Sequence, residues 1–83
     1  MTDRSAEESV SEQTARLKEE MQKLLGRRDE CRSQVRQLMA AEDPSRGIYH
    51  HEEIFSLKQE SLRLEVEAEF CRKKINRLQL GYD

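Results

Sequence analysis

The chain of 83 residues has no tryptophan, only two phenylalanines and only two tyrosines. So short a chain, with so few aromatic side chains, has too little apolar material to enclose a cavity lined on all sides, which is where enzyme active sites commonly lie. No glycine-rich phosphate loop, nucleophile elbow or pair of catalytic carboxylates occurs in it. We therefore expect a protein that is not an enzyme and that binds no cofactor.

The sequence also has no large excess of either charge, because it contains 15 Lys and Arg and 17 Asp and Glu, for a net charge of −2. Without a clearly basic face, the sequence lacks the electrostatic basis for nucleic-acid binding. No apolar run approaches the ~20 residues of a membrane span, and the first eight residues contain no signal-peptide core. We expect neither a nucleic-acid partner nor a membrane span.

Helix-breaking residues are rare, and they divide the chain near its middle. The single proline, Pro44, and the nearby Gly47 interrupt a composition rich in Glu, Arg, Leu and Gln, and a proline is excluded from a helix interior. Such compositions are typical of long helices and coiled coils. The predicted organisation is a frayed N-terminus over 1–8, a coiled-coil helix over 9–41, a loop over 42–49, a second coiled-coil helix over 50–80 and a tail over 81–83.

Capping patterns occur at both ends of the predicted helical region. Ser5 with Glu8, and Ser9 with Glu12, both fit the Ser-x-x-Glu capping box, so the first helix can begin at either serine. Gly81 is placed to end the second helix, because glycine readily adopts the left-handed conformation of a helix C-terminus.

Apolar residues recur at alternating spacings of three and four along both segments, which is the heptad pattern of a coiled coil. In the first segment the pattern also passes through Thr14 and Arg28, and in the second through Ser61 and Tyr82. These positions form the predicted seam, whose apolar and cysteine members are Val10, Leu17, Met21, Leu24, Cys31, Val35 and Leu38 in the first helix, and Ile54, Leu57, Leu64, Ala68, Cys71, Ile75 and Leu78 in the second.

The heptad phase breaks at the proline, which favours a chain folded back on itself over one continuous rod. The predicted fold is therefore all-α: two long helices in an antiparallel coiled-coil hairpin, which we expect to assemble further into a helical bundle. In the favoured register Leu38 faces Ile54. A tighter turn, with Pro44 as the first residue of the second helix, would slide the pairing by one heptad and set Cys31 against Ile54.

Charged flanking residues bear on the choice between these registers. The favoured register brings Arg27 close to Glu60 and Glu67, and it brings Arg32 close to Glu65, although it also brings two pairs of basic residues together. Each exposed pair contributes only roughly a few tenths of a kcal/mol, so the pairs favour this register weakly and do not decide it.

The second helix carries a second apolar stripe, on the side away from its seam. A helix that is apolar on two faces is usually buried on two faces. Either a rotated helix packing fills a broad seam, or the stripe is an interface for a second hairpin or for another protein's helix. We favour the interface, whose expected residues are Phe55, Leu62, Val66 and Phe70.

Arg28 is a charged residue at a seam position, where a charge costs stability and selects a register or a partner. One interpretation is that its aliphatic stem lies on the seam while the guanidinium reaches Glu60 or Glu67. The other is that it contacts a carboxylate of a partner, and we include it among the candidate interface residues.

The cysteines and histidines show no metal-binding spacing. In the favoured register Cys31 and Cys71 are separated by about ten residues, roughly 15 Å, along the hairpin, which is too far for a disulfide within one chain. A bridge between the Cys31 residues of two chains would require the helices to pair in parallel. We expect both thiols to be reduced, which indicates the cytoplasm or another reducing compartment inside the cell. Adjacent histidines such as His50 and His51 point in different directions, so no metal site is expected.

In outline, the arrangement over residues 10–80 resembles the antiparallel helical fingers by which some effector proteins bind Rho-family GTPases. That resemblance rests on helix length and loop position and implies a binding module of the same kind. The main hypothesis is broader: a non-enzymatic coiled-coil module for protein–protein interaction, in an oligomerisation, scaffolding or adaptor role. The alternatives are a GTPase-binding finger and a regulatory or inhibitory subunit that docks on a catalytic partner.

Overall fold

A computed structural model of the chain describes residues 9–81, and it shows an all-α hairpin. Helix α1 spans Val10–Ala41 and helix α2 spans His51–Leu80, and the two helices pack against each other along their length. A single 3₁₀ turn, Pro44–Arg46, lies between them. The predicted all-α helical hairpin is thus confirmed. The predictions for residues 1–8 and for Tyr82 lie outside the described residues.

Helix α1 begins with the second of the two possible capping boxes. The Ser9 hydroxyl accepts a hydrogen bond from the Glu12 backbone N–H at 3.1 Å, and the Glu12 carboxylate accepts from the Ser9 backbone N–H at 3.4 Å. Two N–H groups that the helix itself leaves unpaired are satisfied in this way. Such a cap contributes about 1 kcal/mol to helix stability.

The turn between the helices is closed by paired backbone hydrogen bonds. Asp43 and Ile48 exchange two of them, each 2.9 Å long, in an isolated antiparallel bridge. Between them Pro44 opens the 3₁₀ turn and Gly47 ends it with φ of 70°, a left-handed conformation that favours glycine. Pro44 therefore begins this short turn and does not begin α2, so the tighter hairpin does not form.

The two helix ends at the turn are tied together by a side chain. The Glu42 carboxylate accepts a hydrogen bond from the His50 backbone N–H at 3.0 Å, at a partly buried position. Glu42 is the C-cap of α1 and His50 is the N-cap of α2. This contact sets where α2 starts relative to the end of α1.

The core is a narrow strip between the helices, at the predicted seam. A central cluster contains Leu24 of α1 with Leu64, Ala68 and Cys71 of α2. Leu64 is fully buried, with 0% of its surface exposed. In the rejected register Leu24 would have faced Ser61, so the membership of this cluster agrees with the favoured register. Partly buried side chains pack around the cluster: Leu17, Met21, Leu25 and Cys31.

Ion pairs between the helices agree with the same register. Arg27 Nη2 lies 3.4 Å from Glu60 Oε2, and Arg32 Nη2 lies 3.2 Å from Glu65 Oε2. Both are pairs that the favoured register predicts. They are exposed, so each contributes at most about 1 kcal/mol, and the apolar strip beneath them supplies most of the cohesion.

Helix α2 ends at Gly81, which has φ of 74° and donates its N–H to the Arg77 carbonyl oxygen at 2.9 Å. This is the glycine C-cap that the sequence pattern indicates. Gly26, inside α1, lies on an open side of the helix, because nothing beyond its own stretch of helix comes within 4 Å of the place where a Cβ would stand.

Candidate docking face on helix α2

The side of α2 that points away from α1 is apolar and exposed. Its large side chains are 47–64% exposed, although they are of the types that proteins usually bury. With about 100° of rotation per residue, they fall in one sector of the helix opposite the seam. We name this sector the outer face of α2, and its apolar residues are Phe55, Leu62, Val66, Phe70 and Leu80.

Leu80 is the member that the sequence reasoning missed. It lies eighteen residues after Leu62, about five complete turns, so it points in the same direction. Lys73 and Arg77 fill the turns between Phe70 and Leu80. In the sequence alone the apolar stripe stops at Phe70, while in the structure the helix extends it to Leu80.

The structure separates the two interpretations of this stripe. A broad seam would bury it, yet Phe55 and Phe70 are 64% and 63% exposed. The seam position next to each, Ile54 and Cys71, is half-buried and buried respectively. The core therefore lies on one side of α2, and the outer face is a separate surface.

Helix α1 has no comparable face among its described residues. Its exposed large apolar side chains, Val10 and Met39, lie near opposite ends of the helix. The exposed positions between them are mainly small or polar, such as Lys18, Gln22 and Asp29. The asymmetry identifies α2 as the helix that presents an unpartnered apolar surface.

Charge is distributed unevenly along α2. Residues 51–70 contain six glutamates and two basic residues, a net charge of −4 with histidine neutral. Residues 71–80 contain four basic residues and no acid, a net charge of +4. The outer face therefore runs from an acidic N-terminal part to a basic C-terminal end, so an approaching helix meets a different sign of charge at each end.

Several of these charges are neutralised along the helix itself. Arg63 contacts Glu60 and Glu67 at 2.6 Å each, and its hydrogen bonds to Glu60 lower the pKa of that carboxyl. Arg72 is hydrogen-bonded to Glu69 and lowers the pKa of Glu69 in the same way. These pairs fix side chains along the flanks of the outer face.

Other charges beside the outer face have no such partner. Within the described part of the chain, no ion pair engages Glu52, Lys58 or Arg77. Each is exposed. They remain available for charges on a partner, at positions spread over the length of α2.

Arg28 lies at its seam position with a side chain that is only 20% exposed. The guanidinium contacts Asp29 at 2.9 Å and Glu65 at 3.5 Å, and the expected contact with Glu60 or Glu67 was wrong. Glu65, which Arg32 also contacts, is the carboxylate of α2 that the Arg28 guanidinium reaches. Arg28 spans the seam and does not reach the outer face.

The remaining seam residues lie between the helices, with one exception. Val10 is 51% exposed, since it is the first residue of α1. Those that are buried are Leu24, Val35, Leu64, Ala68, Cys71 and Ile75, and those that are half-buried are Leu17, Met21, Cys31, Leu38, Ile54, Leu57 and Leu78.

The cysteines form no disulfide. Cys31 is a half-buried free thiol and Cys71 a buried one. Burial raises the pKa of the Cys71 thiol, and the nearby Glu20 raises it further. Cys71 therefore has the properties of a small apolar core residue rather than of a nucleophile.

His50 and His51 take part in local contacts at the turn. His50 Nδ1 lies 3.6 Å from Glu53 Oε1, and the His51 ring stacks on Tyr49 with centroids 5.0 Å apart. In residues 9–81 no group of three or more His, Cys, Asp or Glu is arranged to hold a metal ion. Neither described helix is long and apolar enough to cross a membrane.

Comparison with known proteins found no relative of this chain. The chain matches no protein-family model, no curated protein and no solved structure.

Proposed function

We propose that the hairpin is a non-enzymatic protein-interaction module, in which the seam holds the two helices together and the outer face of α2 docks a helix of a partner. The observation that carries the proposal is the exposed apolar outer face, which runs from Phe55 to Phe70 and is resumed by Leu80 at the end of α2. Large apolar patches on a folded surface mark interaction sites, because leaving them in water is unfavourable.

Burying this face contributes free energy to association. Fully burying a Phe, Leu or Val side chain contributes about 1.5–3 kcal/mol. The five side chains are 47–64% exposed, so together they contribute roughly 4–8 kcal/mol, against an entropy cost of association that begins at roughly 4 kcal/mol. The rigid α2 helix presents them without first having to fold, which keeps the cost of binding low.

Such a module suits an oligomerisation, scaffolding or adaptor role. Arg28 assists from the seam, where it draws Glu65 toward α1 and keeps that carboxylate neutralised beside the docking face. The two unpaired thiols favour a reducing compartment such as the cytoplasm.

Site-directed photo-crosslinking tests the proposal. A benzophenone amino acid replaces Gln59, which lies on the outer face, or Gln22, which is exposed on α1, and the chain is irradiated in a concentrated extract of its own cells. We expect protein adducts from position 59 and few from position 22. The adducts should disappear when Phe55, Leu62 and Phe70 are replaced by Ser, Gln and Ser.

A matched control separates loss of docking from loss of folding. The variant Val10→Ser with Met39→Gln removes exposed apolar surface elsewhere on the hairpin and should leave the adducts unchanged. Circular dichroism should show helicity close to that of the parent in both variants. If position 59 yields no adducts, or yields the same ones as position 22, the outer face is not a docking site.

A further inference from the structure

We propose that the occupant of the outer face is α2 of a second copy of this chain, packed antiparallel, so that two hairpins form a row of four helices with the two α2 helices in the middle. The inference rests on the proposed function and names the partner. It follows from the positions of apolar and charged residues along α2, which match when the helix is turned end for end about a twofold axis near residue 64.

The apolar residues match about this axis. Leu62 of one copy comes opposite Val66 of the other, and this contact occurs twice by symmetry. Phe55 comes between Phe70 and Lys73 of the second copy, so that its ring packs on one aromatic ring and on the methylene stem of the lysine. The aromatic and aliphatic positions of the outer face thus all meet apolar surface.

The two ends of α2 also meet about this axis. Leu80, at the last turn of α2, comes near the turn that contains Ile48 and precedes α2 in the second copy. Both are exposed in the single hairpin, Leu80 at 64% and Ile48 at 41%. The same axis therefore brings exposed apolar residues from the two ends of α2 toward each other.

The charges are complementary in the same arrangement. Glu52 comes beside Arg77 of the second copy on one flank, and Lys58 comes beside Glu69 of the second copy on the other. Each pair forms twice in a symmetric dimer. Three of these four residues have no ion-pair partner among the described residues of their own chain, so the dimer supplies partners that the hairpin lacks.

A parallel pairing of the same faces is disfavoured by charge. It would set the basic segment 71–80, with a net charge of +4, against its own copy, and the acidic segment 51–70 against its own copy. Like charges placed together across a helix pair reduce stability and exclude that orientation. Antiparallel packing brings the basic end against the acidic N-terminal turns.

The charges near the axis are neutralised within each hairpin. Glu65 would approach its own copy there, but Arg28 and Arg32 hold it at 3.5 and 3.2 Å. Arg63, on the other flank, is engaged by two glutamates of its own helix. The centre of the interface can therefore close without repulsion between like charges.

Distances between spin labels test the orientation. Labels are attached to Ser56→Cys and Asn76→Cys, at two exposed polar positions, in chains in which Cys31 and Cys71 are replaced by Ala. At ~1.5 Å per residue, an antiparallel dimer centred at residue 64 gives about 36 Å between two 76 labels, and under about 20 Å between a 56 label and a 76 label. A parallel dimer gives short 76–76 distances and about 30 Å between 56 and 76, which would overturn the proposal.

Charge reversal in chains that keep both cysteines gives an independent test. Glu52→Arg alone and Arg77→Glu alone should each weaken dimerisation at least about fivefold at low salt, since two attractive pairs become repulsive. An equimolar mixture of the two variants should restore dimerisation, because every Glu52–Arg77 contact in the mixed dimer then joins opposite charges. Sedimentation equilibrium measures all three samples.

A chain that stays monomeric at every concentration, or single variants that dimerise as the parent does, would overturn the antiparallel dimer. The crosslinks from position 59 then keep the two proposals apart. Adducts with the mass of two copies support this inference. Adducts with a different protein only, from the same position, contradict the self-pairing and leave the docking function standing.

Discussion

Leu24 of α1 and Leu64 of α2 lie in one buried cluster at the middle of the hairpin, with 8% and 0% of their surfaces exposed. Among the described residues Leu64 is the largest side chain that is fully buried. A hairpin with so narrow a core depends strongly on each of its central side chains, because few others can compensate for a cavity.

Replacing Leu64 by Ala should lower the free energy of unfolding by about 2–5 kcal/mol, since the lost burial and the remaining cavity both act against folding. Thermal unfolding followed by circular dichroism measures the change. Met39→Ala, at a position that is 54% exposed, is the matched control and should shift the midpoint little. Equal losses from the two variants would show that Leu64 is not the centre of the core.

Thr14 is buried in the seam, and its hydroxyl oxygen has no hydrogen-bond partner among the described residues. Replacing it by Val keeps the shape and removes the unsatisfied group, so we expect the free energy of unfolding to rise by about 1 kcal/mol. Thr14→Ser, which keeps the hydroxyl and loses a methyl group, should lower it. Urea unfolding of the parent and the two variants measures the free energy of unfolding of each. A Val variant less stable than the parent would contradict the prediction.

Glu60 and Glu69 should make the hairpin sensitive to acid. Hydrogen bonds from Arg63 and Arg72 hold the pKa of each carboxyl below its ordinary value of 4.5. A lowered folded-state pKa contributes stability above the unfolded-state value, and that contribution is lost as the pH falls through the folded-state pKa. We therefore expect the melting temperature to fall on acidification below the ordinary carboxyl pKa.

The variant Glu60→Gln with Glu69→Gln provides the comparison for this acid effect. At neutral pH it should melt below the parent, because the ionised pairs are gone. In acid the two melting curves should converge, since the parent has then lost the same pairs by protonation. A difference that stays constant from neutral pH into acid would contradict the assignment.

The Cys71 thiol should react slowly while the hairpin is folded. Burial raises its pKa, so less of the reactive thiolate is present at a given pH, and the packed helices also block the reagent. In a Cys31→Ala chain, which leaves one thiol, alkylation by iodoacetamide should be at least about tenfold slower than in urea. A folded-state rate equal to the unfolded rate would place Cys71 outside the core.

Much of the hairpin could be predicted from local sequence features. Pro44 and Gly47 interrupt the helix by their own backbone restrictions, and the Ser9 and Gly81 caps depend on residues only a few positions away. The heptad pattern likewise identified the side of each helix that meets the other. Such signals are readable because their physical causes, backbone sterics and helical periodicity, act within a few residues.

The charge partners could be predicted only in part. The Arg27–Glu60 and Arg32–Glu65 pairs follow once the register is chosen, because the register sets which turns are level. The partner of Arg28 did not follow, because a long side chain at a seam position can turn to either flank, and the register alone does not specify which. Which exposed side chains pair with each other depends on their three-dimensional arrangement and on small differences in free energy between the possible pairs.

The scarcity of aromatic residues and the even balance of charge, together with the heptads, determined the class of this protein: two amphipathic helices joined by a turn, with no enclosed cavity expected. Only the tertiary structure decided that α1 covers a single side of α2 and leaves Phe55, Leu62, Val66, Phe70 and Leu80 exposed. The physical reason is that periodicity shows which residues share a side of a helix. Which side is covered depends on what packs against it, and one helix can cover only one.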